Sequence, residues 1–347
     1  MSFDWRCNAR VVGMSLALWL TGAGGAHGQA DPRIEVNAIN TPGDADSTFR
    51  ITQPGSYILG ANVVGVAGKH GIEIAASGVT VDLNGFELKG VGGAGAWDGI
   101  TAGAAGLTNI AMVNGSIRGW SDCGVDFLNT AVTNSRFEDL IVTGNSKVGL
   151  QPGFDAALTE CVVNDNGDHG ISLGFGGAAI QCTASGNTGA GIVTGFGCSI
   201  IDCTVVSNLY YGIDAGEGST ISQCTVRNNK WDGIRVAAEC VVRGNTCSRN
   251  GLNYTGTAPA GAGIRLHTGA TGCRIEDNNC TFQKRGVHVE AAGNIIVRNT
   301  CKGNTTNWQV AAGNVCLVVS ATASAAVTGN AGGVSPGSTD PNANFTY

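Results

Sequence analysis

The chain has 347 residues, of which 55 are glycine, 13% are charged and 6% are aromatic. Its 26 acidic and 20 basic side chains give a formal net charge of −6, which removes the general electrostatic reason to bind nucleic acid. Beyond residue 30 no apolar stretch is long enough to span a bilayer, so we expect a soluble protein without a membrane span.

Residues 1–30 have the pattern of a secretory signal peptide. Arg6 and Arg10 make its start basic, and residues 11–20 form an apolar core that is too short to cross a membrane. Cleavage is predicted after Ala30. A buried N-terminal helix is the alternative. The signal pattern favours export, so we expect the mature chain to be secreted or held in the cell envelope or periplasm.

Residues 31–70 contain two turn signals, Pro42-Gly43 and Pro54-Gly55, but no repeat. We predict that they form an N-terminal cap and the first strands of the domain that follows. The end of a stack of strands needs a cover, because its unpaired edges would otherwise join other chains.

Residues 71–310 carry an internal repeat, which is most regular between Gly149 and Asp232, where four segments of 21 residues follow one another. Most segments open with Gly-Ile or a similar apolar pair. The ten openings are Gly71, Gly99, Gly124, Gly149, Gly170, Gly191, Gly212, Gly233, Gly263 and Gly286. A fixed period marks a stack of units, each of which buries its apolar side against its neighbours.

Each repeat is predicted to consist of strands. Apolar residues alternate in short runs, β-branched residues are common, and long runs lack a 3.6-residue period. Two or three short strands make one coil, and equal positions in successive coils lie about 4.8 Å apart. The sequence therefore predicts a parallel β-helix of about ten coils. Residues 251–262 are predicted to form a surface loop, and residues 311–347 the last coil and a cap that includes Phe345 and Tyr347.

Two polar columns follow the period. Asparagine amides can hydrogen-bond from coil to coil, so a ladder is predicted for Asn145, Asn166, Asn187, Asn208 and Asn229. An interior column is predicted for Cys161, Cys182, Cys203 and Cys224, continued by Asn245, Asn278 and Asn299. Later cysteines, at positions 247, 280 and 301, replace valines of earlier coils. These exchanges favour buried free thiols. Disulfides are the alternative in an exported chain, whereas zinc spacing is absent.

The repeat G-I-x-x-x-x-x-x-x-I-x-x-C-x-x-x-x-N-x-x-G resembles that of the pectin-lyase-like superfold. The segments TPGDADSTFRITQPGSYILGANVVGVAGKHGIEI, VTVDLNGFEL and GSTDPNANFTY are similar to the ends of secreted bacterial right-handed β-helix repeat proteins. The resemblance covers residues 33–347 and implies an all-β chain folded as a single right-handed parallel β-helix with capped ends. It implies no single activity, because the superfold includes lyases, hydrolases, epimerases and adhesins.

Functional side chains are expected on one outward edge. In each Gly-Ile-x-Val opening the x side chain points outward, and the two residues before the glycine lie beside it. These positions place aromatic rings, which stack on sugars, next to Arg, which can hold a uronate carboxylate. The predicted substrate-binding residues are Trp97, Tyr210, Tyr211, Trp231, Lys284 and Arg285. The alternative is an ordinary surface, with Asp214 and Arg235 as a cross-strand pair of little energetic value.

Two enzyme hypotheses use the same edge. The stretch GDHGISLG, with Asp168 and His169, resembles the Gly-His-Gly-Ile-Ser stretch of polygalacturonases, but the carboxylates that this family carries on preceding coils are missing. A lyase or epimerase needs a base and a group that neutralises a uronate. The candidates for these roles are Asp214, Asp232, Arg235, Arg265 and His288. Only this second hypothesis involves a cofactor, Ca²⁺; otherwise no metal is expected.

The charge distribution points to a polymer as partner. Residues 227–302 have 11 basic and 5 acidic side chains, whereas residues 31–226 have 7 and 19. The basic segment suits an acidic polysaccharide, unless the charges are surface scatter. The leading hypothesis is therefore an exported, monomeric, non-catalytic protein that binds a polysaccharide, acidic or neutral. The alternatives are a polysaccharide lyase or epimerase acting on uronate-containing glycans, and a structural spacer in a cell envelope.

Overall fold

Short parallel strands make up almost all of the regular structure. The computed structural model describes residues 31–252, 261–320 and 341–347, which contain no helix and hence none that could span a membrane. The strands belong to the compact unit Arg33–Tyr347. The predicted signal peptide and most of the predicted surface loop lie outside the described residues.

Each coil contributes one strand to a twelve-stranded sheet, which we call sheet 1. Its strands pair in parallel and equal positions face each other, as Ile192 faces Ile213. This is the sheet that the Gly-Ile openings predicted. The strands of sheet 1 are Ser47–Ile51, His70–Ile74, Ile100–Ala102, Val125–Asp126, Leu150–Gln151, Ile171–Leu173, Ile192–Thr194, Ile213–Ala215, Ile234–Val236, Ala262–Leu266, Arg285–Val289 and Thr306–Val310.

The other strands form a 24-stranded parallel sheet with two rows, row 2 and row 3. The long strands Ile110–Arg118 and Arg136–Thr143 run through both rows and join them. Row 2 also contains Ile34–Glu35, Gly55–Ile58, Val79–Asp82, Ala157–Thr159, Ala178–Ile180, Ser199–Ile201, Thr220–Ser222, Val241–Arg243, Arg274–Glu276, Ile295–Val297 and Val315–Cys316. Row 3 also contains Val63–Val64, Glu87–Lys89, Val162–Asn164, Thr183–Ser185, Thr204–Val206, Thr225–Arg227, Thr246–Ser248, Asn279–Thr281, Thr300–Lys302, Val318–Ser320 and Asn344–Thr346.

The stack has more coils than the sequence predicted. Sheet 1 has twelve strands where about ten coils were expected, because Ser47–Ile51 and Thr306–Val310 extend it at its two ends. Neither strand begins with the Gly-Ile pair. Thr48 and Asn307 stand at the positions that glycine occupies in the other coils.

The opening glycine of a coil is required by close packing. A Cβ atom on Gly191 would lie 2.4 Å from Val205 Cγ1 and 2.7 Å from Asn208 Nδ2. The next residue points into the interior, and its side chain is fully buried. The isoleucines at this position in the regular coils are Ile171, Ile192, Ile213 and Ile234. Each contributes about 1.5–3 kcal/mol by burial, so the fold is stabilised by repetition of one contact.

The predicted asparagine ladder is confirmed. Asn187 donates from its backbone N and from Nδ2 to Oδ1 of Asn208, both at 3.0 Å. Its Nδ2 also donates to the Val163 carbonyl at 3.2 Å. The same pattern runs through Asn145, Asn166, Asn187, Asn208, Asn229 and Asn250 to Gln283, whose backbone N donates to Asn304 Oδ1 at 3.0 Å. A second ladder follows the cysteine column through Asn245, Asn278, Asn299 and Asn344.

The cysteines lie in files inside the stack, and the twelve in the described residues are free thiols. The predicted column is confirmed: Cys161, Cys182, Cys203 and Cys224 are at most 1% exposed and occupy equal positions in successive coils. Cys224 N then donates to Oδ1 of Asn245, the next member of this column. Another file, Cys198, Cys240 and Cys273, was not predicted, because Ser219 interrupts it. A thiol fills an interior position here much as Val or Asn does.

The C-terminal residues continue row 3. Asn344–Thr346 pairs with Thr300–Lys302 and with Val318–Ser320, and the Tyr347 ring lies 4.8 Å from Lys302 Nζ. Residues 321–340, within the predicted C-terminal coil and cap, lie outside the described residues. The described end of the chain therefore completes the last coil with a strand.

Candidate functional site

The outward position of sheet 1 forms one continuous column, as the sequence predicted. From coil to coil its members are Arg50, Glu73, Thr101, Asp126, Gln151, Ser172, Val193, Asp214, Arg235, Arg265, His288 and Gln309. Its charged members occur in both halves of the column, and Asp214, Arg235 and Arg265 occupy three successive coils. We call the connected set Asp214, Asp232, Arg235, Arg265, His288 and Glu290 the charged face.

Asp214 and Arg235 form a bidentate pair across neighbouring strands. Arg235 donates from Nε to Oδ1 of Asp214 at 2.7 Å and from Nη2 to Oδ2 at 2.5 Å. Its Nη1 donates to the Tyr211 hydroxyl at 2.8 Å, and its Cζ lies 4.2 Å from the centre of that ring. Burial opposes the charge of Arg235, but the bonds to Asp214 outweigh it and raise the pKa of Arg235. Burial also raises the pKa of Tyr211 to about 12.

Arg265 lies between two carboxylates. Its Nη2 is 2.9 Å from Glu290 Oε1, and its Nη1 is 3.4 Å from Asp232 Oδ2. Asp232 is fully buried, and its Oδ1 accepts hydrogen bonds at 2.7 Å from the backbone N atoms of Gly261 and Ala262. Burial raises the pKa of Asp232, although these bonds and Arg265 oppose the change. Asp232 thus holds the backbone at the start of the strand Ala262–Leu266.

His288 is buried in the charged face, with 3% of its surface exposed. Burial lowers its pKa to about 4, so the imidazole is neutral near pH 7. Its Nε2 lies 3.7 Å from Glu290 Oε1, and its Nδ1 is buried without a hydrogen-bond partner. Burial opposes the ionisation of Glu290, but a hydrogen bond from Thr268 and the charge of Arg265 outweigh it and lower the pKa of Glu290.

Three rings form an aromatic platform beside the charged face: Tyr210, Tyr211 and Trp231. The Tyr210 and Trp231 ring centres are 3.8 Å apart, and both side chains are half-buried. Tyr211 is buried and meets Tyr210 and Trp231 edge-on, at 4.6 and 5.2 Å. Since Tyr211 also contacts Arg235, the platform and the charged face are continuous. The sequence placed these residues correctly in neighbouring columns.

A recess of about 200 Å³ lies beside the Asp214–Arg235 pair and is lined in part by both of these residues. Gly216 and Ala237 form part of its wall, and His267 lies on the coil that follows. The recess opens beside Gly216 and Ala237 because neither residue carries a side chain larger than a methyl group, and they continue a column of small residues that includes Gly174 and Gly195. It is smaller than the pockets of about 300–1,000 Å³ that enclose drug-sized ligands, so it suits one unit of a longer molecule.

Three phenylalanines on the turn after sheet 1 were missed at the sequence level. Phe154, Phe175 and Phe196 stack with ring centres 5.4 and 5.2 Å apart, and the last two are 50% and 59% exposed. The 21-residue spacing of these residues was a sufficient signal. Glu290 was missed as well, although it lies two residues after His288 and so points to the same side of the strand.

Two predicted catalytic candidates lie apart from the charged face. His169 Nδ1 accepts a hydrogen bond from the Ala190 backbone N at 2.9 Å, and Asp168 Oδ1 lies 3.7 Å from His169 Nδ1. His169 occupies the position that Tyr211 occupies two coils later, so about 10 Å along the stack separates them. The structure therefore does not bring Asp168 and His169 together with Asp214.

The remaining predicted binding residues lie at the two ends of the edge. Trp97 contacts His70 with ring centres 5.1 Å apart, five coils before Tyr210 and thus about 24 Å from the platform. Lys284 and Arg285 are half-buried just before Gly286; Arg285 begins a strand of sheet 1, and its Nε donates to Gln309 at 2.7 Å. These side chains share the edge but are not in the platform.

Two groups of possible metal ligands occur among the described residues, with ligand atoms within 4.8 Å of one another: Asp98, Asp122 and Cys123, and Asp44, Asp46 and Glu73. In both groups, carboxylates already contact other groups of the protein. Asp98 accepts a hydrogen bond from the Cys123 backbone N and Asp122 pairs with Lys147, while Asp44 and Glu73 both pair with Arg50. Burial raises the pKa of Asp98 to about 7. These contacts engage four of the five carboxylates, so we assign no metal to the two groups.

Comparison with known proteins agrees with the fold. A family described as right handed beta helix region matches residues 178–332. The A-module of a mannuronan C-5 epimerase from Azotobacter vinelandii superimposes with a TM-score of 0.56 at 16% identity, over 76% of this chain and 90% of that one. The chain is a right-handed parallel β-helix. No curated protein sequence matches it.

Two tailspikes share this β-helix. The Dettilon tailspike protein has a TM-score of 0.56 at 16% identity, over 87% of this chain and 60% of that one. A tailspike of E. coli bacteriophage HK620, solved in complex with a pentasaccharide, has a TM-score of 0.57 at 12% identity, over 76% and 57%. The β-helix thus spans less than two thirds of either tailspike. At these identities the likeness establishes the fold alone.

Proposed function

We propose that this β-helix is exported and binds a polysaccharide without catalysis, along the aromatic platform, the charged face and the recess. The observation that carries the proposal is the unbroken line of contacts from Trp231 and Tyr210 through Tyr211 to Arg235 and Asp214. Rings of this kind stack on the apolar faces of sugars, and a planar Asp–Arg pair hydrogen-bonds sugar hydroxyls.

Two features of the compared proteins support the proposal. One tailspike was solved with a pentasaccharide, and the epimerase is named for a polysaccharide, mannuronan. A long edge on which every coil repeats at about 4.8 Å also suits a long ligand better than a small one. The pattern of residues 1–30 supports export, since it is typical of a secretory signal.

Binding to immobilised polysaccharides, measured with the folded mature chain, tests the proposal. Replacing Trp231 or Tyr210 by alanine should weaken binding about tenfold or more, because stacked aromatic anchors carry much of the affinity of such sites. Tyr347→Ala is the matched control, since it removes an exposed ring at the C-terminal end. Equal affinities for Trp231→Ala, Tyr347→Ala and the unaltered chain would remove the platform from the site.

The enzyme alternative from the sequence stays a prediction. A lyase or epimerase requires a base and a cation that can neutralise a uronate. His288 is neutral but buried, and both Arg235 and Arg265 are already paired with carboxylates, so the geometry favours binding over catalysis. Incubation with alginate or pectate, with and without Ca²⁺, should produce no ultraviolet absorbance from unsaturated uronides and no exchange of the C5 proton with solvent.

A further inference from the structure

The guanidinium groups of the charged face are committed to protein carboxylates. Arg235 uses Nε and Nη2 on Asp214 and Nη1 on Tyr211, and Arg265 uses Nε and Nη2 on Glu290. An incoming carboxylate would have to break one of these charge-assisted pairs before it could be neutralised. The basic character of residues 227–302 therefore does not extend to this face.

The Asp214–Arg235 pair still has hydrogen-bonding capacity that a neutral sugar could use. A guanidinium carries five N–H groups, of which the bonds to Asp214 and Tyr211 use three. The two Asp214 oxygens offer about four acceptor sites, of which Arg235 occupies two. The pair thus offers about two donors and two acceptors side by side. Neighbouring sugar hydroxyls, each both a donor and an acceptor, match this arrangement.

The recess adds no compensating positive charge from its small residues. Apart from the Asp214–Arg235 pair, the recess is lined by His267 of the next coil and by the uncharged residues Val193, Thr194, Ala215, Gly216 and Ala237. A uronate placed there would face the Asp214 carboxylate at short range, and like charges in a partly buried site repel. Discrimination of this kind works through repulsion of the wrong ligand as well as attraction of the right one.

We infer that the recess takes an uncharged sugar unit and that Asp214 is the residue that excludes uronates. This inference rests on the proposed function and narrows it to neutral polysaccharides. Asp214 acts by keeping Arg235 paired, so its removal should leave Arg235 able to accept a uronate carboxylate. The prediction is a change of specificity, which a merely structural role of Asp214 would not produce.

The test compares neutral chains (galactomannan, xyloglucan and dextran) with acidic chains (alginate and polygalacturonate) for the unaltered protein, Asp214→Asn and Asp214→Ala. The unaltered protein should bind at least one neutral chain, with an affinity that changes less than about twofold between about 0.05 and 0.5 M NaCl, since no net charge is neutralised. Either variant should lose about tenfold in affinity for that chain and gain salt-sensitive binding to an acidic one. Asp202→Asn, an exposed Asp on the turn between rows 2 and 3, is the matched control and should behave as the unaltered protein.

Failures of the two proposals are distinguishable. If the unaltered protein binds acidic chains in preference to all neutral ones, and salt weakens that binding, the inference about Asp214 is overturned while polysaccharide binding stands. If the folded protein binds neither kind, polysaccharide binding fails and the inference fails with it. The comparison of ligands on the unaltered protein decides both points even if a variant does not fold.

Discussion

Replacing Asn187 by alanine should show how much the ladder contributes to the stack. Asn187 is fully buried, and its side chain takes part in four hydrogen bonds. Its Oδ1 accepts from the backbone N and from Nδ2 of Asn166, both at 3.0 Å. Its Nδ2 donates to Asn208 Oδ1 at 3.0 Å and to the Val163 carbonyl at 3.2 Å.

The expected cost follows from these contacts. A buried hydrogen bond contributes about 1 kcal/mol net, so loss of four lowers the free energy of unfolding by about 4 kcal/mol. The largest part comes from the Asn166 backbone N, which keeps no partner in a dry interior. Asn208 Oδ1 loses less, because it still accepts from the Asn187 backbone N at 3.0 Å.

Urea denaturation followed by far-ultraviolet circular dichroism measures the change. Asn164→Ala is the matched control: Asn164 lies one coil earlier, and its Oδ1 is buried without a hydrogen-bond partner. This control should change the free energy of unfolding by no more than about 0.5 kcal/mol. If Asn187→Ala costs no more than Asn164→Ala, the ladder does not stabilise the stack and the reasoning is refuted.

Four further predictions concern acidity, thiols and packing. Burial lowers the pKa of His288 to about 4 from an ordinary 6.5, so on acidification the unfolded chain binds a proton at a higher pH than the folded chain does. The free energy of unfolding should therefore fall by about 3 kcal/mol as the pH drops from 6.5 to 4. Urea titrations of His288→Gln should lack this loss. Asp98 should change stability in the opposite direction with pH. Because its pKa is raised to about 7, the free energy of unfolding should fall as the pH rises from about 4 to about 7, and Asp98→Asn should abolish that decline. In the folded protein a thiol reagent should label the half-buried Cys316 and none of the other cysteines in residues 31–252, 261–320 and 341–347. Urea should make the others reactive, and their rapid labelling without urea would contradict their burial. Gly191→Ala should lower the free energy of unfolding by about 2 kcal/mol or more, because the new Cβ would lie 2.4 Å from a valine methyl. Gly177→Ala is the control: its Cβ would have no contact under 3.4 Å, so it should be nearly neutral in the same urea assay.

The regular coils could be predicted because one period governs several independent features. Gly191, Asn187 and Cys203 each recur every 21 residues in the sequence, and each occupies an equal position in the stacked coils. The end coils could not be predicted in the same way. Ser47–Ile51 and Thr306–Val310 also pack apolar side chains on the core, among them Ile51 and Trp308, but they lack the Gly-Ile pair by which the other coils were recognised.

The candidate site was predictable as a set of columns but not as a set of contacts. Alternation along a strand placed Asp214 and Arg235 on the outer surface in neighbouring coils. It did not show that Arg235 would give three of its five N–H groups to Asp214 and Tyr211, or that Asp232 would turn inward to the backbone of Gly261. Such choices depend on side-chain rotamers and on the depth of each group below the surface, which a one-dimensional period does not contain.

The sequence by itself determined the repeat, its strand content, the interior columns and the edge on which functional groups lie, because each of these follows from position within a coil. Only the tertiary structure decided which charges are paired, which rings are buried and where a recess opens. Those outcomes arise from contacts between coils, where burial and partner distance set the ionisation and the free hydrogen-bonding capacity of each group.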